Sequence, residues 1–259
     1  MDGHLQFSVI PSLNDGFGEL SLVDRIARIR AAVPGRIVFT TSFGMEDQAI
    51  THAILTQDLE IAVVTLDTGR LFPETYALWS ATEERYGRRI TAFVPNHDAL
   101  ESLVRRQGIN GFYGSVANRK ACCDIRKVEP LGRALAGADA WMTGLRAEQS
   151  DSRAGLDYFS VDEGRGLIKA NPLLDWSRRD LVAYVRKEGI PYNSLHDAGY
   201  PSIGCQPCTR AVQPGEPERA GRWWWEDKSH KECGLHVTPD GRLVRTAAPG
   251  GPAATQNDV

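Results

Sequence analysis

The sequence of 259 residues predicts an α/β fold in which helices cover both faces of a doubly wound, mostly parallel sheet. Short apolar runs alternate with longer stretches of helical periodicity between residues 19 and 143. Two of the runs, residues 36–40 and 61–66, are rich in β-branched or aromatic residues, as expected for parallel strands buried on both faces. This alternation predicts crossovers of the usual right-handed kind.

The elements of the first half follow in order. Four apolar residues at helical spacing predict a helix over residues 19–32, which ends near Pro34-Gly35. A helix runs to about residue 57 after the first strand, and another begins near Pro73, because proline is favoured in a first turn. The predicted strands are residues 36–40, 61–66, 90–94 and 140–143, and further helices are predicted at 97–106 and 124–135.

The pattern changes after Gly144. Residues 158–161 and 166–169 predict a hairpin across a polar turn. Ser177 is a predicted N-cap of another helix, with Asp180 at the capping-box position. Irregular chain rich in cysteine, proline and tryptophan is expected from Pro201 onward, and residues 246–259 are expected to be a disordered tail.

Composition excludes several classes of protein. The net charge of −3 gives no reason to expect nucleic acid or an anionic membrane as a partner. No apolar run approaches the roughly 20 residues that cross a bilayer. The N-terminus lacks the basic and apolar regions of a secretory signal. Unpaired thiols suit a reducing compartment, so the cytoplasm is the expected location.

Three loops that follow predicted strands carry polar or small residues. These loops are Ser42-Phe43-Gly44, Asp67 with Gly69, and Gly144-Leu145-Arg146. Ligands of doubly wound sheets bind at the carboxyl ends of strands, where backbone N–H groups and a helix N-terminus can hold a phosphate. The loops therefore favour a nucleotide pocket. Each loop taken alone is equally compatible with an ordinary turn, and Ser42 and Glu46 with a helix cap and a first-turn acid.

Five cysteines form a tandem pair, a close pair and a single residue: Cys122-Cys123, Cys205-x-x-Cys208 and Cys233. Adjacent cysteines rarely reach each other as a disulfide. Four thiolates satisfy either an iron–sulfur cluster or a closed zinc site, and thiolate ligation alone does not choose between them. The fifth thiol then becomes a candidate nucleophile. The alternatives are a buried apolar role for the tandem pair and an inert surface cysteine at 233.

Basic and aromatic residues surround these cysteines. Arg119, Lys120, Arg126 and Lys127 flank the tandem pair and can offset the charge of a thiolate site, although a solvated basic face is favoured for the first two. Cations near Cys233 raise its thiolate fraction; candidates are His230, Lys231 and His236 nearby in sequence, with Arg219 and Arg222 approaching in space. Packing is favoured over base stacking for Trp223-Trp224-Trp225.

Five separated motifs between about residues 20 and 245 resemble the assimilatory sulfonucleotide reductases. The motifs are Ser42-Phe43-Gly44-Met45-Glu46-Asp47, Leu66-Asp67-Thr68-Gly69-Arg70-Leu71-Phe72-Pro73-Glu74-Thr75, Gly144-Leu145-Arg146-Ala147-Glu148-Gln149-Ser150, Arg222-Trp223-Trp224-Trp225-Glu226 and Glu232-Cys233-Gly234-Leu235-His236. The four paired cysteines resemble those of the cluster-bearing adenosine 5′-phosphosulfate (APS) reductases, since the phosphoadenosine-specific branch typically lacks them. Phe43, Met45 and Gln48 depart from the loop of ATP-cleaving relatives, which counts against pyrophosphatase chemistry.

The resemblance implies a division of roles among residues. A 4Fe–4S cluster would be held by Cys122, Cys123, Cys205 and Cys208, and Cys233 would be the catalytic nucleophile. Substrate contacts would come from Ser42, Gly44, Asp67, Lys127, Gly144, Arg146, Arg219, Arg222 and His236. The fold would be like that of the adenine nucleotide alpha hydrolases. Residues 1–210 would form the nucleotide-binding domain that carries the cluster, and residues 211–245 a mobile catalytic segment.

The implied reaction is reduction of APS to sulfite and AMP in sulfate assimilation, through a thiosulfonate on Cys233 that thioredoxin or a glutaredoxin-like reductant releases. The cluster is expected to have an electrostatic and structural role, and a homo-oligomer is common among relatives. Three alternatives remain at this point. They are reduction of the 3′-phosphorylated nucleotide (PAPS), ATP-dependent thiolation of RNA, and a non-enzymatic zinc-binding adaptor.

Overall fold

Six strands form a single sheet in the order β3-β2-β1-β4-β6-β5. The computed structural model describes residues 7–150, 153 and 155–226. All neighbouring strands pair in parallel except β5, which is antiparallel to β6. The strands are β1 Ile37–Thr41, β2 Ala62–Leu66, β3 Thr91–Phe93, β4 Ala140–Met142, β5 Phe159–Asp162 and β6 Leu167–Ala170.

Helices fill the connections between the strands. They are α1 Ile10–Asn14, α2 Leu22–Ala32, α3 Met45–Thr56, α4 Pro73–Tyr86, α5 His97–Gln107, α6 Val116–Cys123, α7 Glu129–Leu135 and α8 Arg178–Lys187. A π-helical turn, Asp124–Val128, joins α6 to α7 without a break. Short 3₁₀ turns include Ala147–Gln149, Ser194–His196 and Gln206–Cys208.

Alternate residues of each central strand enter different apolar layers. In β1, Ile37 and Phe39 join the larger core, whereas Val38 joins the smaller core on the opposite face. In β4, Met142 and Trp141 divide in the same way. Because successive side chains of a strand point to opposite faces, a strand covered on both sides must be apolar throughout. The sheet is therefore buried between two layers.

The predicted fold class is confirmed, and the predicted strands and hairpin lie within one or two residues of those observed. Ser177 caps α8 as predicted, because its hydroxyl accepts the Asp180 N–H at 3.1 Å. The predicted helix at 124–135 is helical throughout, as the π-helical turn followed by α7, but its predicted start was wrong. Helical chain begins earlier, at Val116, where Ser115 caps α6 by accepting the Asn118 N–H.

The described part of the predicted C-terminal segment, residues 211–226, returns to the domain. The Val212 N–H donates to the Gly199 carbonyl at 2.9 Å, and the Trp223 N–H donates to the Cys208 carbonyl at 3.1 Å. The remainder of that segment and the predicted tail lie outside the described residues. Among the described helices, none combines the length and apolarity needed to cross a membrane.

Candidate active site

A pocket opens where β1, β2 and β4 end at their carboxyl edge. This is the point of the sheet at which the strand order reverses, and doubly wound folds bind their ligands there. Predicted contact residues that line the pocket are Ser42, Gly44, Lys127, Gly144, Arg219 and Arg222. Cys205 also lines it. Six of the nine predicted substrate contacts thus line one pocket, at the edge of the sheet where the sequence places them.

The loop after β1 is organised by a carboxylate of the following helix. The N–H and the hydroxyl of Ser42 both donate to the same Asp47 oxygen, at 2.6 and 2.7 Å. Gly44 is the N-cap residue of α3, and it supplies no side-chain cap. Ser42 is therefore a partner of Asp47, not the helix cap that was the alternative interpretation. N–H groups in the first turn of a helix have no intrahelical acceptor, so this loop can still hold an anion.

Asp47 is buried in the pocket wall. Burial is the main cause that raises its pKa from 3.8 to about 7, with a smaller contribution from Glu46. The two hydrogen bonds from Ser42 oppose the shift without cancelling it. The Asp47 carboxyl therefore changes its charge near neutral pH, and it contacts the loop that is predicted to bind phosphate.

Gly144, after β4, is required by the approach of Asp47. A Cβ atom at this position would lie 2.2 Å from Asp47 Oδ1 and 3.1 Å from the Glu46 Cβ. Such contacts are too close for any side chain. The glycine thus lets the α3 N-terminus pack directly against the end of β4.

Arg146 lies behind the pocket wall and does not line the pocket. Its side chain is fully buried, and it forms ion pairs with Glu46 at 2.8 Å, Glu148 at 3.0 Å and Glu218 at 2.9 Å. The bond to Glu218 is bidentate. Because these carboxylates occupy its donors, we describe Arg146 as a positioning residue and not as a direct substrate contact.

Asp67 also lies outside the pocket lining. Its Oδ1 atom accepts the Gly69 N–H at 2.8 Å and the Tyr76 hydroxyl at 2.7 Å. Burial, followed by this hydrogen bond, raises the pKa of Tyr76 to about 12. In this geometry Asp67 shapes the turn after β2.

The sequence did not indicate several polar residues that line the pocket, among them Arg153 and His196. His196 Nδ1 lies 2.9 Å from the Tyr200 carbonyl, so Nδ1 is the donor and carries the proton. Burial lowers the pKa of His196, and its Nε2 atom is buried without a hydrogen-bond partner. A neutral imidazole thus leaves an acceptor atom inside the site.

The two cysteine pairs meet beside this pocket. Cys122 and Cys123 end α6, whereas Cys205 is the N-cap of the 3₁₀ turn Gln206–Cys208 and Cys208 is its last residue. The Tyr113 hydroxyl donates to the Pro207 carbonyl at 2.6 Å and so joins the loop before α6 to that turn. Thr68, after β2, contacts Cys205 Sγ at 3.3 Å through its hydroxyl.

None of these four cysteines forms a disulfide within the described residues, and three of the thiols influence one another. Burial raises the pKa of Cys208 to about 12, and Cys205 and Cys122 raise it further, whereas Lys127 and Arg222 lower it. Burial also raises the pKa of Cys122, against the effect of Arg126. A metal centre that binds Cys122 and Cys208 as thiolates must therefore displace their protons.

The basic residues near the tandem pair are not all surface residues. Arg119 is only 1% exposed, and it hydrogen-bonds Cys123 as well as Glu226. The prediction that Arg119 belongs to a solvated basic face was therefore wrong, whereas Lys120 is exposed as expected. The packing interpretation is confirmed for Trp223, which is 1% exposed, but not for Trp224, which is 39% exposed.

The chemistry of the donor set fits a thiolate-bound cluster. Within residues 7–150, 153 and 155–226, no three His, Cys, Asp or Glu side chains are arranged to hold a single metal ion. In a 4Fe–4S cluster each thiolate binds a different iron, so the four sulfur atoms do not converge on one point. Four free thiols from two adjoining segments, with arginine and lysine around them, suit that group in charge and in kind.

Two predicted site residues, Cys233 and His236, lie outside the described residues. Their predicted roles therefore rest on sequence alone.

Comparison with known proteins gives a consistent result. The sequence profile of the phosphoadenosine phosphosulfate reductase domain matches residues 36–211. A protein of Sinorhizobium fredii (strain NBRC 101917 / NGR234) named adenosine 5′-phosphosulfate reductase is 55% identical over 226 residues, which cover 87% of this chain and 90% of that protein. A protein of Allochromatium vinosum with the same name is 55% identical over 200 residues, or 77% of this chain and 78% of its own.

Among solved structures, the phosphate complex of phosphoadenylyl-sulfate (PAPS) reductase from Candida auris is similar to this chain. The TM-score is 0.66 at 29% sequence identity, and the match covers 78% of this chain and 96% of the other.

Proposed function

The chain belongs to the phosphoadenosine phosphosulfate reductase family, and from that premise we propose that it reduces APS to sulfite and AMP in sulfate assimilation. The observation that carries the proposal is the shared wall between the pocket and the thiol centre, because Cys205 lines the pocket that also contains the loop of Ser42 and Gly44. A nucleotide held by the loop thus lies next to the cysteine centre.

The pocket offers two kinds of donor to the phosphosulfate of APS. The first-turn N–H groups of α3 have no intrahelical acceptor and suit an anion, whereas the N–H groups of Ser42 and Phe43 already donate to Asp47 and Thr41. Lys127, Arg219 and Arg222 also line the pocket and suit the same anionic group. Both lysine and arginine can stabilise charge that develops on the leaving phosphate. Arg153, which also lines the pocket, adds a further cation.

The chemical step is transfer of the sulfonate group. The Cys233 thiolate attacks the sulfur atom of APS, the bond from that sulfur to the bridging phosphate oxygen breaks, and AMP leaves with the electron pair. Cys233 then carries an S-sulfonate. Cys233 lies outside the described residues, so its assignment depends on the motif Glu232-Cys233-Gly234-Leu235-His236.

A dithiol protein of the thioredoxin class completes the cycle. One of its thiolates attacks the Cys233 sulfur, and sulfite departs with the electron pair of the broken S–S bond. Its second thiol then resolves the mixed disulfide and restores the Cys233 thiolate. The dithiol therefore supplies both electrons, and no electron has to pass through a metal centre.

Cys122, Cys123, Cys205 and Cys208 would hold a 4Fe–4S cluster in this enzyme. When bound, the cluster would place a fixed charge beside the pocket and would connect the end of α6 to the turn Gln206–Cys208. Lys127 and Arg222 line the pocket and also act on the Cys208 thiol, so they connect the two environments. An iron and acid-labile sulfide assay on anaerobically purified protein tests this; zinc without sulfide would overturn it.

APS is favoured over PAPS for two reasons. The relatives at 50–55% identity are named adenosine 5′-phosphosulfate reductases, whereas the protein named for PAPS is 29% identical. The chain also has the four paired cysteines typical of the APS branch. Competition kinetics with both nucleotides tests this choice, and a preference for the 3′-phosphorylated substrate would contradict it.

The test of the mechanism is a single-turnover reaction with APS in the absence of reductant. The wild-type enzyme is expected to release AMP and to gain one sulfonate on the peptide that contains Cys233. The Cys233→Ser variant should bind AMP as the wild type does but release none from APS. Undiminished release by that variant would reject the assigned nucleophile.

The remaining assignments complete the proposal. We assign residues 1–210 to the nucleotide-binding domain and residues 211–245 to the catalytic segment; the predicted tail, residues 246–259, lies outside the described residues. Cysteines without a disulfide among the described residues support a location in the cytoplasm. A homo-oligomer is proposed by analogy with relatives, and light scattering of the purified protein tests it.

A further inference from the structure

A buried ion pair joins the cysteine helix α6 to the last described residue of the chain. Arg119 Nε and one terminal nitrogen donate to the two carboxylate oxygens of Glu226, at 2.9 and 2.8 Å. The side chains are 1% and 2% exposed. A bidentate pair of this kind fixes the direction of both side chains, because the planar guanidinium matches the carboxylate in one orientation.

A cationic stack supports the same junction. The Arg119 and Arg222 guanidinium carbons each lie 4.8 Å from the Trp223 ring. Trp223 itself has a φ of 42°, a left-handed conformation that is unfavourable for a tryptophan and persists only where its surroundings impose it. Because Arg222 lines the pocket, the stack connects the pocket wall to α6.

Arg119 has a second partner in the cysteine centre, since it also hydrogen-bonds Cys123. Glu226, Arg119 and Cys123 thus form a continuous polar chain. Cys233 follows Glu226 by seven residues, a length that reaches at most about 24 Å when fully extended. Glu226 is therefore the fixed point from which the proposed nucleophile can approach the pocket.

We propose that Arg119 and Glu226 are positioning residues that tie the base of the Cys233 segment to the cysteine centre, so that an intact centre directs Cys233 to the bound substrate. The inference rests on the proposed function for the identity of the nucleophile. It gives the cysteine centre a mechanical role, because ligation of Cys123 holds the helix end that orients Arg119.

A generic contribution to stability is the competing explanation, and the chain offers a second bidentate pair as a control. Arg25 and Asp175 are joined at 2.5 and 2.8 Å, with the arginine side chain 2% exposed and the carboxylate 38% exposed. Neither residue lines the pocket. Asp175→Asn therefore removes the carboxylate charge that faces a buried arginine without touching the proposed anchor.

The experiment compares holoenzymes of the wild type, Glu226→Gln and Asp175→Asn. Three properties are measured: the single-turnover rate of Cys233 sulfonation by APS, the affinity for AMP, and the protection of Cys233 from maleimide by AMP, mapped by mass spectrometry. Iron content is measured in each sample. Because Glu226→Gln leaves a buried arginine charge, the double variant Arg119→Met/Glu226→Leu serves as a folded alternative in which both charges are absent.

We expect sulfonation to slow about tenfold in Glu226→Gln and in the double variant, since a misplacement of about 1 Å can cost 100-fold. AMP affinity should change less than twofold, and AMP should no longer protect Cys233. Loss of the anchor at Glu226 also lengthens the chain between Cys233 and its nearest fixed residue. That lengthening alone slows sulfonation by less than about twofold, because the effective concentration of a tethered group falls roughly as the −3/2 power of tether length.

A rate within twofold of the Asp175→Asn control, with AMP protection retained, would overturn the inference. AMP protection that is absent even in the wild type would also overturn it. If the wild type shows AMP protection that Glu226→Gln loses, but forms no S-sulfonate, the proposed chemistry fails while the anchoring role stands.

Discussion

Replacement of Asp47 by asparagine should flatten the pH dependence of stability. The wild-type carboxyl is buried in the pocket wall and accepts two hydrogen bonds from Ser42. Its pKa is raised mainly by burial, from 3.8 to about 7. Asparagine is nearly isosteric and retains an acceptor oxygen for Ser42, but it does not ionise in this range.

The sign and the size follow from proton linkage. Between pH 4 and 7 the folded state binds more protons at Asp47 than the unfolded state does, so the free energy of unfolding falls as pH rises. This stabilisation is fully present below the unfolded pKa and is lost as pH rises through the folded one. A shift of about three pKa units corresponds to about 4 kcal/mol, of which about 2 kcal/mol falls between pH 5 and 7 and about 3 kcal/mol between pH 5 and 8.

Guanidinium unfolding of anaerobic protein at several pH values between 5 and 8 measures the effect. The stability difference between wild type and Asp47→Asn should change by about 3 kcal/mol across the window, with the wild type losing stability relative to the variant at the higher pH. Parallel stability curves for the two proteins would refute the assigned titration. If the stability of the wild type instead increased with pH relative to that of the variant, the pKa of Asp47 would be lowered and not raised by folding.

Three further predictions test other parts of the site. Gly144→Ala should weaken AMP binding in calorimetric titrations by about 1–3 kcal/mol, because its methyl group displaces the Asp47 carboxyl; unchanged affinity would show that α3 can move away. Arg146→Met should lower the free energy of unfolding by about 3–5 kcal/mol, since it leaves buried carboxylates unpaired; a loss of AMP affinity at unchanged stability would instead support direct contact. Cys208→Ser should reduce iron content in anaerobic preparations, and full iron retention would remove Cys208 from the ligand set.

The sheet was predictable because its strands are apolar on both faces. Val38 and Trp141 enter one apolar layer while Phe39 and Met142 enter the other, and this requirement leaves continuous apolar runs in the sequence. Helix α6 was not predicted, because its residues, Val116–Cys123, show no apolar stripe. Its buried residues are Arg119 and Cys123, and the carboxylate that pairs with Arg119, Glu226, lies far away in sequence.

The candidate site was partly predictable for a related reason. Loops that follow parallel strands meet at one edge of the sheet, so Ser42 and Gly144 could be placed from strand positions alone. Arg146 lies in such a loop, but the sequence gives no sign of the three carboxylates that bind it. His196 belongs to irregular chain without periodicity, and only the folded structure brings it to the pocket.

Because Cys205 belongs to the pocket lining, whatever fills the pocket also stands between this sulfur atom and the surrounding water. A bound nucleotide should therefore limit the access of dissolved oxygen to this sulfur atom. If the proposed cluster is purified in air, its iron is expected to be retained longer with AMP present than without it.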